Sequence, residues 1–256
     1  MENVVVKFSE KPELENPIIV EGLPGIGLVG KLAADHLLEE LEAKKFAEIY
    51  SPHLPPQVVI QDDGTVQLVR MELYYYKRSG RDIIFLAGGF QGITPDSQYQ
   101  LTEKILEIAR DCGVKKIYTL GGLGTGAITK SPRVFGAATS KELVEEHEKY
   151  GITFKGGGAI FGASGLLLGL SSMYGMGGVC LMGETHGQII DAKSAEALLK
   201  VLTKILDVTV DMTALESKAK ETEEQINRMA SMINAHKKAV EQQQDFVEEA
   251  PSYYIR

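Results

Sequence analysis

Cysteine is scarce in this 256-residue chain: Cys112 and Cys180 are its only two, set in apolar surroundings with no CxxC or metal-ligand spacing. That excludes a disulfide scaffold and a cysteine-built metal centre, and predicts two small buried side chains in a reducing compartment. Basic clusters are equally thin. The densest is Lys77-Arg78 with Arg81 nearby, and the formal net charge is -8, so no nucleic-acid partner is expected. Long hydrophobic runs are missing too. The most apolar segment, Ala159 to Leu170, is short and rich in glycine, and Met1-Glu2-Asn3-Val4 offers no basic region leading into an apolar stretch. The expectation is a soluble cytoplasmic protein without a membrane segment. His36, His53, His147 and His236 are scattered without a pair at metal-ligand spacing, so no metal is expected.

Glycine is missing from one region only. All 27 glycines lie at or before Gly187. Beyond it runs charged sequence rich in Glu, Lys, Gln, Ala and Met, which favours helix. Met212, Ala219, Ile226, Ile233, Val240 and Val247 fall in one heptad column, and Leu215, Thr222, Met229, His236 and Gln243 in the other. The second column turns polar, which predicts an arm that packs well at its root and loosens outward. Three units follow: a body over 1–207, a helical arm over 208–250 and an exposed tail over 251–256, after Pro251 stops the helix. A terminal Tyr253-Tyr254-Ile255-Arg256 on a polar arm points to partner binding at the tip.

In the body, short apolar runs alternate with helical periodicity. Ile18-Ile19-Val20 reads as a strand that leads through a glycine turn into a helix carrying Val29, Leu32, Ala33, His36, Leu37 and Leu41. Strands are expected at 46–50, 58–61 and 66–76, forming an antiparallel meander, then at 82–86, 116–120 and 177–182. Thr94-Pro95-Asp96 starts a helix that runs to Cys112 and stops at Gly113. Thr139-Ser140-Lys141-Glu142 has capping-box form, and Asp191 to Leu206 is amphipathic. The pattern predicts an α/β fold: a three-layer α/β/α sandwich of phosphorylase- or hydrolase-like type with a mainly parallel central sheet and a C-terminal helical extension. Tyr74-Tyr75-Tyr76 places rings on both faces of one strand.

Several motifs are candidates for chemistry. Gly25-Ile26-Gly27-Leu28-Val29-Gly30 satisfies G-x-G-x-x-G between a strand and a helix, the context of a dinucleotide fingerprint. Glu21 and Pro24 crowd the turn, however, and the next strand carries Glu48 mid-strand rather than an acid at its end. Tight turning and close helix packing account for the glycines, and no cofactor is expected. Gly121 to Gly126 and Gly156-Gly157-Gly158 could nest an anion, but no lysine or GKS/GKT triplet accompanies them. Ser164 lacks the glycine of a nucleophile elbow, since position 166 is Leu166. His186, beside Glu184, Thr185 and Asp191, is the one candidate general base.

The set Glu21-Gly22-Leu23-Pro24-Gly25-Ile26-Gly27-Leu28-Val29-Gly30, Gly88-Gly89-Phe90-Gln91, Leu120-Gly121-Gly122 and Leu181-Met182-Gly183-Glu184-Thr185 resembles the archaeal branch of the proteasome assembly chaperone 2 family over residues 15 to 215. The resemblance implies a phosphorylase-like α/β/α sandwich without enzymatic activity that self-associates, as a tetramer or pentamer, and binds the proteasome core particle or its α-subunits. Family members commonly end in a hydrophobic residue, tyrosine and any residue, which dock between α-subunits. Here the final three are Tyr254-Ile255-Arg256, so the tyrosine is displaced by one position. The resemblance assigns Tyr253, Tyr254, Ile255 and Arg256 to partner binding. Two alternatives stand beside it: a scaffold whose tail meets a different oligomeric protein, and a nucleoside-phosphorylase-like enzyme using the Gly121 to Gly126 loop and His186.

Overall fold

Ile18, Ile19 and Val20 are each at most 3% exposed, as a strand covered on both faces requires, and the fold is layered around them. The computed structural model describes residues 4–154 and 156–220. Among these the strands are, in chain order, β1 (Val5–Phe8), β2 (Ile18–Glu21), β3 (Lys44–Tyr50), β4 (Val58–Ile60), β5 (Val66–Leu68), β6 (Met71–Tyr76), β7 (Ile83–Gly88), β8 (Lys116–Gly124), β9 (Val134–Ala138), β10 (Thr153–Phe154) and β11 (Gly177–Thr185). The helices are α1 (Val29–Glu40), α2 (Pro95–Asp111), α3 (Lys141–Glu148), α4 (Gly162–Ser171) and α5 (Ala192–Leu206).

Nine strands form one sheet in the order β1-β3-β6-β7-β2-β8-β11-β9-β10. The central four, β7-β2-β8-β11, are parallel. Their side chains alternate between two cores. Ile18, Val20, Ile83, Phe85, Tyr118 and Leu120 join α1 and α5 on one face, while Ile19, Ile84, Leu86 and Ile117 join α2 and α4 on the other. The expected α/β/α sandwich is therefore present.

The sheet is mixed, as the expected antiparallel meander makes it, with parallel and antiparallel neighbours in equal number rather than mainly parallel ones. The pairs β1–β3, β3–β6 and β6–β7 are antiparallel, and β9 runs antiparallel to β11. Only the link from β6 to β7, residues 77–82, is too short for a crossover helix and so fixes the direction of its pair. The single strand expected over 66–76 divides at Val69-Arg70. Its first part, β5, pairs only with β4 in a separate two-stranded sheet, so the meander runs β3-β6-β7 and bypasses the hairpin. α3 is capped by Ser140, whose hydroxyl accepts from the Leu143 amide, one residue after the threonine of the expected capping box. Thr94 caps α2 reciprocally with Ser97, and α2 ends with Cys112 as its C-cap. Cys180 is buried as expected, but Cys112 is only partly so.

The three tyrosines are partly buried and pack against the two cores, Tyr74 and Tyr76 on one face and Tyr75 on the other. Tyr75 meets the Phe46 ring edge-on at 6.0 Å, and the Tyr74 hydroxyl donates to Glu72.

Candidate functional site

Ligands of open α/β sheets bind where the parallel strands end, and most of the candidate chemical residues converge there. Glu21 closes β2 and is completely buried. Its Oε1 accepts from the Leu23 amide at 2.9 Å and its Oε2 from the Ser164 hydroxyl at 2.8 Å. Burial pushes this carboxyl up to about 7, against the smaller opposing pull of those hydrogen bonds. Ser164, in the first turn of α4, also lies 3.3 Å from the Leu120 carbonyl. Its hydroxyl is thus engaged within the interior. Gln91, from the loop after β7, ties two neighbours together: its Nε2 donates to the Pro24 carbonyl, and its Oε1 accepts from the Ala163 amide at 2.9 Å.

The glycines interlock rather than open a cradle. A Cβ on Gly30 would lie 2.3 Å from the Leu120 carbonyl oxygen, one on Gly22 would lie 2.0 Å from the Ala34 Cβ, and one on Gly122 would lie 2.3 Å from the Ile26 carbonyl oxygen. Helix α1 and the turn before it therefore sit directly on β8, and Ile26 lies over Gly122 and Gly124. Gly27 and Leu28 both take left-handed backbone, with φ of 63° and 52°, to make that turn. The remaining hollow beside Gly25, Gly27, Gly187 and Ile190 holds about 170 Å³, below the few hundred Å³ usual for small-molecule sites.

The candidate base His186 has a buried Nδ1 without a hydrogen-bond partner, but the neighbouring acids serve other groups. Asp191 accepts from the Thr185 hydroxyl at 2.7 Å and caps α5 by accepting from the Ser194 amide at 2.9 Å. Glu184 takes a bidentate pair from Arg133, at 2.9 and 2.8 Å. Among the described residues no acid hydrogen-bonds the buried Nδ1 of His186 to orient it as a general base. His147 is fully buried between the Tyr118 hydroxyl at 3.0 Å and the Leu143 carbonyl at 2.7 Å. Among the described residues no group of three His, Cys, Asp or Glu is placed to hold a metal ion, and no helix is long and apolar enough to cross a membrane.

Tyr253, Tyr254, Ile255 and Arg256 lie outside the described residues, as does the arm beyond residue 220. The arm's root is described, and it is anchored by residues that sequence reasoning left unassigned. After α5 the chain turns through Asp207 in left-handed conformation. Arg78 donates to the carbonyls of Leu206 and Asp207, His36 Nε2 lies 2.6 Å from the Asp211 carbonyl, and Glu40 accepts from the Asp211 amide at 3.2 Å. Asp211 in turn accepts from the Thr213 amide and opens a helical segment over 213–220. Leu215 and Ala219, one from each heptad column, sink into the core shared with α1 and α5. The amphipathic spacing signalled those two; nothing in one dimension signalled the polar clamp.

Two exposed apolar surfaces complete the description. Ile26, Ile93, Ile128, Phe161 and Ile190 crown the loops around the ends of the parallel strands, and Val58, Ile60, Val66 and Leu68 project from the hairpin.

A family model described as "PAC2 family" matches residues 19–230. Among curated relatives, the Methanocaldococcus jannaschii protein MJ1210 is 41% identical over 224 residues, covering 87% of this chain and 86% of the relative. Among solved structures, Pyrococcus furiosus PbaB, described as an archaeal proteasome activator, is 42% identical with a TM-score of 0.85, over 90% of this chain and 100% of its own. Pyrococcus furiosus PbaA, described as an archaeal homolog of proteasome-assembly chaperone, is 30% identical with a TM-score of 0.74, over 96% and 99%.

Proposed function

The chain belongs to the PAC2 family, and from that membership we propose that it is a non-enzymatic proteasome assembly chaperone or activator-like adaptor. The likeness to PbaB over nine-tenths of the chain carries this reading. In it the body over 1–207 forms a homo-oligomer, the arm over 208–250 projects, and the tail over 251–256 docks on the proteasome core particle or its α-subunits. The anchored arm root supports a fixed point of departure for the arm. Several tails on one oligomer bind with avidity, because each docking event after the first is intramolecular. Each tail presents the rings of Tyr253 and Tyr254, the Ile255 side chain and the Arg256 charge. The reading needs no cofactor, and it gives the glycine motifs a packing role in place of a catalytic one.

The test is a pull-down of core particle and of unassembled α-subunits, using the full chain and a version ending at Pro251. Binding that disappears on truncation is the expected result. Equal binding by both forms rules out the tail, and binding by neither rules out a proteasome partner. A thermal-shift screen with phosphate, nucleosides and NAD is expected to leave the melting temperature unchanged; a rise with any of them would revive the enzyme reading.

A further inference from the structure

The arm root starts at one end of the body and climbs toward the other. Asp211 is held by His36 and Glu40 at the C-terminal end of α1, and Arg78 holds the carbonyls at the C-terminal end of α5. Glu216, one turn into the arm, lies 4.0 Å from Lys200, which is more than a turn back along α5 from Leu206. The helical segment over 213–220 therefore runs antiparallel to α5, with Leu215 and Ala219 in the core that α1 and α5 share. Since α1 follows β2 and α5 follows β11, the groove between them leads up to the ends of the parallel strands. At its top is the hollow lined by Gly25, Gly27, Leu28 and the loop Gly187–Ile190. Ile26 and Ile190 beside it are 47% and 55% exposed.

We infer that residues 221–230 of the same chain continue this helix along the groove and close its upper end, with Ile226 on Ile190 and Met229 over the hollow. The register argues for it. Between antiparallel helices, each residue gained on one is a residue given up on the other. The contact of Glu216 with Lys200 thus brings Lys220 level with Glu196 and Glu223 level with Lys193, so that opposite charges face each other at every step. The same count brings Ile226 level with Ile190, at the head of α5. Ile226 lies one heptad beyond Ala219 and Met229 two heptads beyond Leu215, so both extend columns that are already buried. Lys220, the last described residue, stands six residues or about 9 Å of helix from Ile226. A tether this short gives the chain's own segment a high effective concentration over that of any second copy. The arm then leaves the body at the ends of the parallel strands, near the exposed Ile128 and Phe161, and not at the end where its root is clamped. The path rests on the adaptor reading only for what the tail meets, and adds the end of the body from which Tyr253 to Arg256 depart.

The test is cross-linking in the full chain carrying Cys112→Ala, which leaves only the buried Cys180 beside the added thiols. A short bis-maleimide is expected to join Ile190→Cys to Ile226→Cys within one chain. It should leave Ile226→Cys unjoined to Met173→Cys, an exposed position at the other end of the strands. A cross-link between two copies would assign the groove to a second copy's arm and overturn the inference, as would the absence of any cross-link. Hydrogen exchange of the unmodified chain should show protection over 221–230. Ile226→Asp, an aspartate buried without a partner, should lower that protection about tenfold or more with α5 unchanged, while Ile226→Leu keeps it. Amides at 221–230 that exchange as fast as those at 251–256 overturn the path and leave the proposed function standing. An intact cross-link within a chain that fails to bind core particle upholds the path and overturns the adaptor reading alone.

Discussion

The Ser164 hydroxyl donates to Oε2 of Glu21 across 2.8 Å, joining the first turn of α4 to the end of β2 at a fully buried carboxyl. Among the described residues no cation partners this carboxyl, and burial opposes its ionisation.

That opposition sets a pH dependence. Glu21 titrates near 4.5 when unfolded and near 7 in the native state. Between those values the native state holds a proton that the unfolded chain has released, so stability is full below 4.5 and is lost as pH rises through 7. The difference amounts to about 3 kcal/mol as an upper bound. Glu21→Gln, which mimics the protonated form, should be more stable than wild type at pH 8 and lose its advantage at pH 4. Urea unfolding across that range checks this, and parallel curves for the two proteins would disprove it.

His147 should act with the opposite sign. Burial holds its imidazole below the ordinary 6.5, so the unfolded chain gains its proton first and stability is lost as pH falls below 6.5. The Leu143 carbonyl accepts a hydrogen bond from Nδ1-H, which leaves Nε2 to accept from the Tyr118 hydroxyl. Nitrogen-detected NMR should find the neutral Nδ1-H tautomer at pH 6.5; a native-state value above 6.5 would contradict the burial argument.

Gly30 and Gly25 separate packing from ligand binding. An alanine methyl at 30 would press on the Leu120 carbonyl, whereas one at 25 meets nothing within 4 Å and Gly25 has extended backbone, with φ of -147°. Gly30→Ala should cost roughly 3 kcal/mol, and Gly25→Ala no more than about 0.5 kcal/mol. Chemical denaturation distinguishes them, and equal costs would mean that α1 does not rest on β8 as described.

Leu215, 1% exposed, holds the arm root against α1 and α5. Leu215→Ala should cost about 2–4 kcal/mol, felt first at the root. Native-state hydrogen exchange is expected to show lost protection over 213–220 with β8 unchanged. Unaltered protection there would show that the polar clamp of His36, Arg78 and Glu40 holds the root by itself.

Local patterns announced much of this fold. Thr94-Pro95 began α2, Asp191 began α5, and the apolar runs at 18–20 and 83–86 became strands covered on both faces, because caps and double-sided burial leave their marks within a few residues. β9, with Gly136-Ala137-Ala138 in its five residues, gave no strand signal and is held by its neighbour β11. α4 was noticed only as an apolar, glycine-rich segment: it buries a regular stripe of Ala163, Ser164, Leu167, Leu168 and Ser171, but the positions between, Gly165, Leu166, Gly169 and Leu170, are not polar, so the stripe does not stand out in the sequence.

The sequence by itself determined the α/β layering, the break in composition after Gly187, the likeness to one family, and the heptad positions that place Leu215 and Ala219 in the core, because each depends on residue order along one segment. Only the tertiary structure decided what the glycines are for, which partner Glu21 finds 143 residues away in Ser164, how His36 and Arg78 grip the arm root, and that Val58, Ile60, Val66 and Leu68 share one uncovered face. Those facts depend on the distance between groups remote in sequence, and on which side of a strand faces water, quantities that exist only once the sheet has formed.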